Sequence, residues 1–315
     1  MTTLSDWLAV QPVDPELASV VATMAAASAE IAAVLRQAPL TGKTGLAGQT
    51  NVQGEAQKAL DVISNDIVLN HIRRNPQVSI LVSEELDEAV HIENRGRFLV
   101  ATDPLDGSSN LDVNVTVGTI FSVLDAGKGL LQPGTAQLAA GYAAYGPATS
   151  LVITFGASVA VFTLDEAGTF VLTQDKVAVP VASGEYAINT ARERFWDAAT
   201  VGYVAENVAG ETGDAGKRYN MRWVGSMVAD IHRILMRGGI FMYPLDSETA
   251  SKGGRLRLLY EANPMAMIVE AAGGASTTGR DKILELVPTG IHQRVPVILG
   301  SAEEVARVEG WYARG

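Results

Sequence analysis

Three apolar runs in this chain end on carboxylates: Ile80-Leu-Val-Ser-Glu84-Glu85, Phe98-Leu-Val-Ala-Thr-Asp103-Pro-Leu-Asp106 and Leu256-Arg-Leu-Leu-Tyr-Glu261. A short continuous apolar run bounded by turn residues predicts a strand buried on both faces. Such a strand fixes its backbone, so the acids at its end are held in place. A sheet of such strands must be covered, and the chain supplies the cover. The pattern predicts helices over 17–37 (ended by Pro39), 55–74, 195–205, 226–237 and 264–272. It predicts further strands over 117–124, 142–155, 159–172 and 297–299. The mixture predicts an α/β fold. Residues 41–54 are rich in Gly, Thr and Asn and read as a loop. A polar Val/Pro-rich join at 176–183 predicts a boundary between domains 1–178 and 179–315.

Composition narrows the chemistry. The formal charge of −11 disfavours sequence-independent nucleic-acid binding, which runs on Lys and Arg neutralising phosphates. The absence of cysteine excludes disulfides, thiolate zinc sites and a Cys nucleophile. Residues 129–164 carry no charge, a length that could span a bilayer. Pro133, Gly134, Gly141, Gly146, Pro147 and Gly156 cut that stretch into strand lengths. The first residues have neither a basic region nor a long apolar one, so the expected location is the cytoplasm.

Carboxylates gathered at strand ends repel one another unless cations sit between them. Oxygen-only ligands favour Mg²⁺ or Mn²⁺ over Zn²⁺. Asp103-Pro104-Leu105-Asp106-Gly107-Ser108-Ser109 is the sharpest element. Pro104 forces an extended approach and Gly107 permits a tight turn, so two carboxylates can face one ion. The Gly-Ser-Ser that follows offers amides and hydroxyls to an anion. Metals beside an amide cradle describe phosphoryl transfer to water. Asp61 and Asp66 lie on one helix about 140° apart, so at most one points into such a site. Gly42-Lys43-Thr44 looks like the end of a P-loop, but Gln37 stands where the motif needs Gly. The four histidines show no ligand spacing and read as structural.

At these residues the chain strongly resembles class I fructose-1,6-bisphosphatase. The matching runs are Leu60-Asp-Val-Ile-Ser-Asn-Asp66, Leu81-Val-Ser-Glu-Glu85, Asp103-Pro-Leu-Asp-Gly-Ser-Ser-Asn-Leu-Asp112 and Val117-Gly-Thr-Ile-Phe121. Val224-Gly-Ser-Met-Val-Ala-Asp230, Leu256-Arg-Leu-Leu-Tyr-Glu-Ala-Asn-Pro-Met-Ala266 and Ile291-His-Gln-Arg-Val-Pro-Val-Ile-Leu-Gly300 continue them in family order. The resemblance implies a layered αβαβα sugar-phosphatase fold and Mg²⁺-dependent hydrolysis of the 1-phosphate of fructose 1,6-bisphosphate, in gluconeogenesis or the Calvin cycle. It implies two or three Mg²⁺ on Glu84, Glu85, Asp103, Asp106, Glu261 and the Leu105 carbonyl. Asp61, with Glu85, would activate the attacking water. Asp106, Gly107, Ser108, Ser109 and Arg255 would meet the substrate. Asn189, Tyr243 and a neighbouring subunit's Arg222 would hold the 6-phosphate; the donated Arg222 implies at least a dimer, and the family implies a homotetramer. Glu55 and Arg257 match positions tied to a loop over the site.

Five departures from the family matter. Arg255 stands where the family usually has Lys, and Trp223 replaces a phosphate-binding Tyr. Another family Tyr, three residues after Asn189, is Arg192, expected here to supply compensating charge. In AMP-inhibited members a Thr-rich turn takes the AMP phosphate, and here the aligned run is Asp14-Pro15-Glu16-Leu17-Ala18. The family's Lys-Tyr pair on the second strand is Arg97-Phe98. AMP inhibition is therefore expected to be weak or absent. Sedoheptulose-1,7-bisphosphatase or dual activity is the nearest alternative. An inositol-phosphatase-like enzyme and a non-catalytic phosphate sensor are more distant ones.

Overall fold

The computed structural model of the chain describes residues 1–41, 46–50, 56–93 and 95–314. Among the described residues the helices are α1 (Leu4–Ala9), α2 (Pro15–Thr41), α3 (Ala59–Arg74), α4 (Ala198–Ala209), α5 (Met227–Arg237), α6 (Asn263–Ala271) and α7 (Ala302–Ala313). Strands β1 (Leu46–Thr50) and β2 (Ala56–Lys58) form a small antiparallel pair. The first large sheet contains β3 (Val78–Ser83), β4 (Val90–His91), β5 (Phe98–Asp106), β6 (Val117–Asp125), β7 (Ala139–Tyr145), β8 (Thr149–Thr154), β9 (Val159–Leu164) and β10 (Phe170–Gln174). Its order is β10-β9-β8-β7-β6-β5-β3-β4, and only β3 and β5 run parallel. The remaining strands are β11 (Glu185–Ile188), β12 (Asn220–Met221), β13 (Ile240–Tyr243), β14 (Leu256–Arg257), β15 (Ala275–Thr277), β16 (Arg294–Val295) and β17 (Val297–Gly300). A second sheet has the order β12-β11-β13-β17-β15, and β14 pairs with β16.

Alternation along the strands sorts the core into layers. Phe121, Ala143 and Leu151 face one side of the first sheet, where they pack with Val20, Met24 and Ile31 of α2 and Val68 and Ile72 of α3. Ile120, Tyr142 and Val152 face the other side and meet Val228 and Ile231 of α5 and Met265 and Val269 of α6. Phe241, Val297 and Leu299 of the second sheet close the same layer. Ile240, Met242 and Ile298 point away, into Tyr203 of α4 and Val308 of α7. The result is a five-layer αβαβα fold, with both faces of both large sheets covered.

Three expectations are corrected in detail. Pro39 does not end α2, which runs to Thr41. The Thr41 hydroxyl donates to the carbonyls of Gln37 and Ala38, satisfying acceptors of the last turn. The helix expected from 55 begins at Ala59, because residues 56–58 pair with β1 instead. The loop expected over 41–54, the tripeptide 42–44 and Glu55 lie wholly or partly outside the described residues. Most consequential is the run 256–260, expected as a strand. Only Leu256–Arg257 is extended, and Leu258–Ala262 winds into a wide, π-helical turn leading into α6. All five residues of that turn are buried, and a buried apolar run does not by itself distinguish strand from helix. By length and composition α2 could cross a bilayer, but its Val20, Val21, Met24, Ala27 and Ile31 are fully buried in the core.

Candidate active site

Because β3 and β5 are parallel neighbours with Ser83 opposite Thr102, their C-terminal ends emerge side by side. The Glu84 N–H donates to the Thr102 carbonyl at 3.1 Å, which sets Glu84 beside Asp103. The β5–β6 ladder then slips. Asp103 faces Ile120 and Asp106 faces Gly118, so Pro104 and Leu105 together oppose Thr119. This is a β-bulge, a place where a residue without an N–H costs no ladder bond. Leu105 N–H turns back to Asp103 Oδ1 at 3.0 Å. Gly107 has φ +76°, and a Cβ there would stand 2.6 Å from Ser226 Cβ, so both backbone and space require glycine. Ser108 and Ser109 open a 3₁₀ turn whose first amides have no partner within it.

Helix α5 meets the turn from the other side of the site. Ser226 caps it and donates its hydroxyl to Asp106 Oδ2 at 2.7 Å. Val228 N–H reaches the same oxygen at 2.9 Å, and Met227 N–H lies 3.4 Å from Oδ1. The free amides and positive end of a helix thus hold one carboxylate of the pair. On the π-helical turn Glu261 folds back, accepting the Arg257 N–H at 2.6 Å.

One carboxylate oxygen each from Asp103, Asp106 and Glu261 lies within 4.8 Å of the others, and all three residues are buried. Burial, and then the charges of Glu84, Asp106 and Glu261, hold the Asp103 carboxyl well above its ordinary range. Burial also raises Asp106, against the pull of its three donors. Burial pushes Glu261 up to about 8, although Arg257 pulls it down. The Arg257 guanidinium stands 2.8 Å from Glu84 and 3.8 Å from Glu261. One such charge does not balance Glu84, Asp103, Asp106 and Glu261 together. An all-oxygen donor set with a surplus of negative charge fits hard divalent cations.

These groups line a cavity of about 200 Å³. Asp61, Glu84, Glu85, Asp103, Leu105, Asp106, Gly107, Ser108, Ser109, Tyr243, Arg255 and Glu261 all border it. Asp61 is buried, whereas Asp66 on the same helix is exposed, as the angle between them requires. Asn189 and Arg222 do not border it. Asn189 caps the 190–195 turn, accepting the Ala191 N–H, and Arg222 is exposed, 3.8 Å from Glu185. The compensating charge expected from Arg192 is not available there. Its guanidinium is forked onto Asp246 at 2.6 and 2.8 Å and onto Glu248 at 2.8 Å, and it does not line the cavity. Trp223 does line it, stacked on Phe241 with centroids 5.8 Å apart and edge-on to Tyr243 at 5.4 Å. Sequence reasoning missed Ser226 as a partner of Asp106. The sequence places it only at the start of a helix, and its carboxylate lies 120 residues earlier. A larger cavity of about 750 Å³ opens beside the end of α2, lined by Arg36, Tyr145 and Asp165 among others, but the carboxylates of the cluster do not reach it.

Residues 8–175 match the family description "Fructose-1-6-bisphosphatase, N-terminal domain" and residues 179–313 match "Fructose-1-6-bisphosphatase, C-terminal domain". The chain is 52% identical to the class 1 fructose-1,6-bisphosphatases of Acinetobacter baumannii strains SDF and ACICU, over 95% of this chain and 94% of theirs. The crystal structure of Leishmania major fructose-1,6-bisphosphatase in holo form is similar with a TM-score of 0.94 at 37% identity, covering 99% of each chain. With matches spanning nearly its whole length, the chain belongs to the fructose-1,6-bisphosphatase family.

Proposed function

We propose that this protein hydrolyses the 1-phosphate of fructose 1,6-bisphosphate to give fructose 6-phosphate and phosphate. The observation that carries the reading is the buried convergence of Asp103, Asp106 and Glu261 at the floor of a cavity rimmed by Gly107, Ser108 and Ser109. The cofactor in this reading is Mg²⁺, two or three ions held by Glu84, Glu85, Asp103, Asp106, Glu261 and the Leu105 carbonyl. When bound, such ions polarise a phosphoryl group, acidify a water and steady the leaving oxygen. Asp61, with Glu85, orients the attacking water and takes its proton. The amides of Ser108 and Ser109 donate to the phosphoryl oxygens of the transferred group. Arg255 brings positive charge to the rim, and its fork can hold a phosphate by two bonds. Trp223 and Phe241 pack against Tyr243, whose ring, together with Asn189, would meet the far phosphate.

The same reading has the protein as a cytoplasmic homotetramer in which Arg222 serves the neighbouring subunit's cavity. Its exposure, outside its own cavity, supports this. It also divides the chain into a metal-binding domain, 1–178, and a sugar-phosphate-binding domain, 179–315. The test is phosphate release from fructose 1,6-bisphosphate with Mg²⁺ and with EDTA, beside sedoheptulose 1,7-bisphosphate and inositol 1-phosphate. Metal-dependent release fastest from the fructose substrate is expected. Release that persists in EDTA, or preference for either of the other two, would overturn it.

A further inference from the structure

We propose that Thr119 is a positioning residue for the metal-binding turn, acting through the peptide between Pro104 and Leu105 and locked in place by Tyr145. The proposal rests on the metal reading of the site given above. Thr119 is the single β6 residue opposite the two-residue bulge of β5. A bulge takes backbone groups out of the ladder, and a buried carbonyl there needs another donor. Thr119, fully buried, provides it: its hydroxyl donates to the Pro104 carbonyl at 2.8 Å.

The other end of that same peptide is the Leu105 N–H, which donates to Asp103 Oδ1 at 3.0 Å. A trans peptide is planar, so its carbonyl and N–H turn together. Holding the oxygen from β6 therefore fixes the N–H that orients Asp103. It also fixes the plane from which the Leu105 carbonyl departs. Tyr145 completes the clamp, with its hydroxyl 2.7 Å from Thr119 Oγ1. Threonine has one hydroxyl hydrogen, already given to Pro104, so Tyr145 must be the donor of this second bond. Thr119 cannot rotate without breaking both bonds. Tyr145 lies on β7, where Ala143 is the direct partner of Thr119, so the pair is a diagonal contact on one sheet face.

The experiment measures Mg²⁺ affinity of the purified full chain by titration calorimetry without substrate, together with the urea unfolding midpoint. Thr119→Val keeps the shape and removes the hydroxyl, and is expected to weaken Mg²⁺ binding about tenfold or more, as lost outer-shell partners do. Thr119→Ser should stay within about threefold of the wild type. Thr154→Val is the control. It removes an equally buried threonine bond in the same sheet, 2.7 Å to the Ser158 carbonyl, and should lower the midpoint with affinity unchanged. If Thr119→Val loses stability as Thr154→Val does but keeps its affinity within about twofold, Thr119 is structural only and the proposal falls. Should Thr119→Val fail to fold, Tyr145→Phe decides. It is expected to weaken Mg²⁺ binding about threefold, and unchanged affinity overturns the clamp. A wild type that binds no divalent cation would instead bring down the metal reading itself.

Discussion

Removing the metal should make the stability of this protein fall as pH rises. The carboxyl of Glu261, buried with Asp103 and Asp106, titrates at about 8 in the folded chain against an ordinary value of 4.5. A carboxyl raised in this way binds its proton more tightly folded than unfolded. Its contribution is fully present below the unfolded value and is lost as pH climbs toward the folded one. Between pH 6 and pH 8 that loss is about 2–3 kcal/mol, at 1.36 kcal/mol per pH unit. The shift of Asp103 has the same direction and adds to it. In a chain of 315 residues the loss corresponds to a fall in Tm of roughly 3–5 °C. With Mg²⁺ in excess the carboxylates are ionised and paired, so the same pH step should cost little, and the stabilisation by Mg²⁺ should grow with pH. The assay is thermal unfolding at fixed protein concentration, in EDTA and in Mg²⁺, at pH 6, 7 and 8. Glu261→Gln, which cannot titrate, should lose much of the slope in EDTA. A metal-free Tm that is flat or rising over this range, or a slope untouched by Glu261→Gln, would refute the electrostatic account of the cluster.

Asp61→Ala should lower kcat at least a hundredfold with KM changed only a few-fold, because a buried acid acting on the water matters in the transition state. Steady-state kinetics that leave kcat within about threefold would remove Asp61 from that role. Ser226→Ala removes both the α5 cap and the short bond to Asp106, so a loss of about 1–3 kcal/mol in urea unfolding and about tenfold in Mg²⁺ affinity is expected. Stability lost without any change in affinity would make the serine a cap alone. AMP should not inhibit below millimolar concentration. Arg97, the basic residue at the family's AMP position, is bonded to Asp14 at 2.6 Å, and Pro15 offers no amide. An inhibition curve with a sub-millimolar midpoint would contradict this.

What could be read without coordinates was the part of the fold whose burial is written in short-range pattern. β5 is buried at every position, and its sequence is a continuous apolar run up to the acids. Helix α5 announces itself through Ser226 before an amphipathic stretch, and α6 through a proline near its start. Apart from the strand at 297–299, the short strands of the second sheet did not stand out. Ile240–Tyr243 and Glu185–Ile188 are four residues each, too few for a period to emerge, and their partners lie far along the chain. Arg192 failed for a related reason. Its expected role came from its position after Asn189, whereas its charge is satisfied by Asp246, 54 residues on, and no local signature marks that pairing. Glu261 is the instructive intermediate. Its membership of the cluster was legible from an apolar run ending in an acid, while its conformation was not. An extended strand and a π-helical turn can both deliver a carboxylate to the same cavity.

The turn at Pro104 joins these two kinds of information. Its residue types declared a tight, acid-bearing bend, but the feature that sets the Asp103 and Asp106 carboxylates relative to each other is a slipped register against β6. Register is a property of two strands, and no run of residues in one of them encodes it alone. The carboxylates are supplied by the loop, but their orientation is supplied from across the sheet by Thr119 and from across the cavity by Ser226. A chain bearing every acid of the motif but lacking those two hydroxyls would therefore keep the ligand set and lose its geometry. For that reason metal affinity, rather than the presence of the carboxylates, is the quantity that separates a working site from a copy of its sequence.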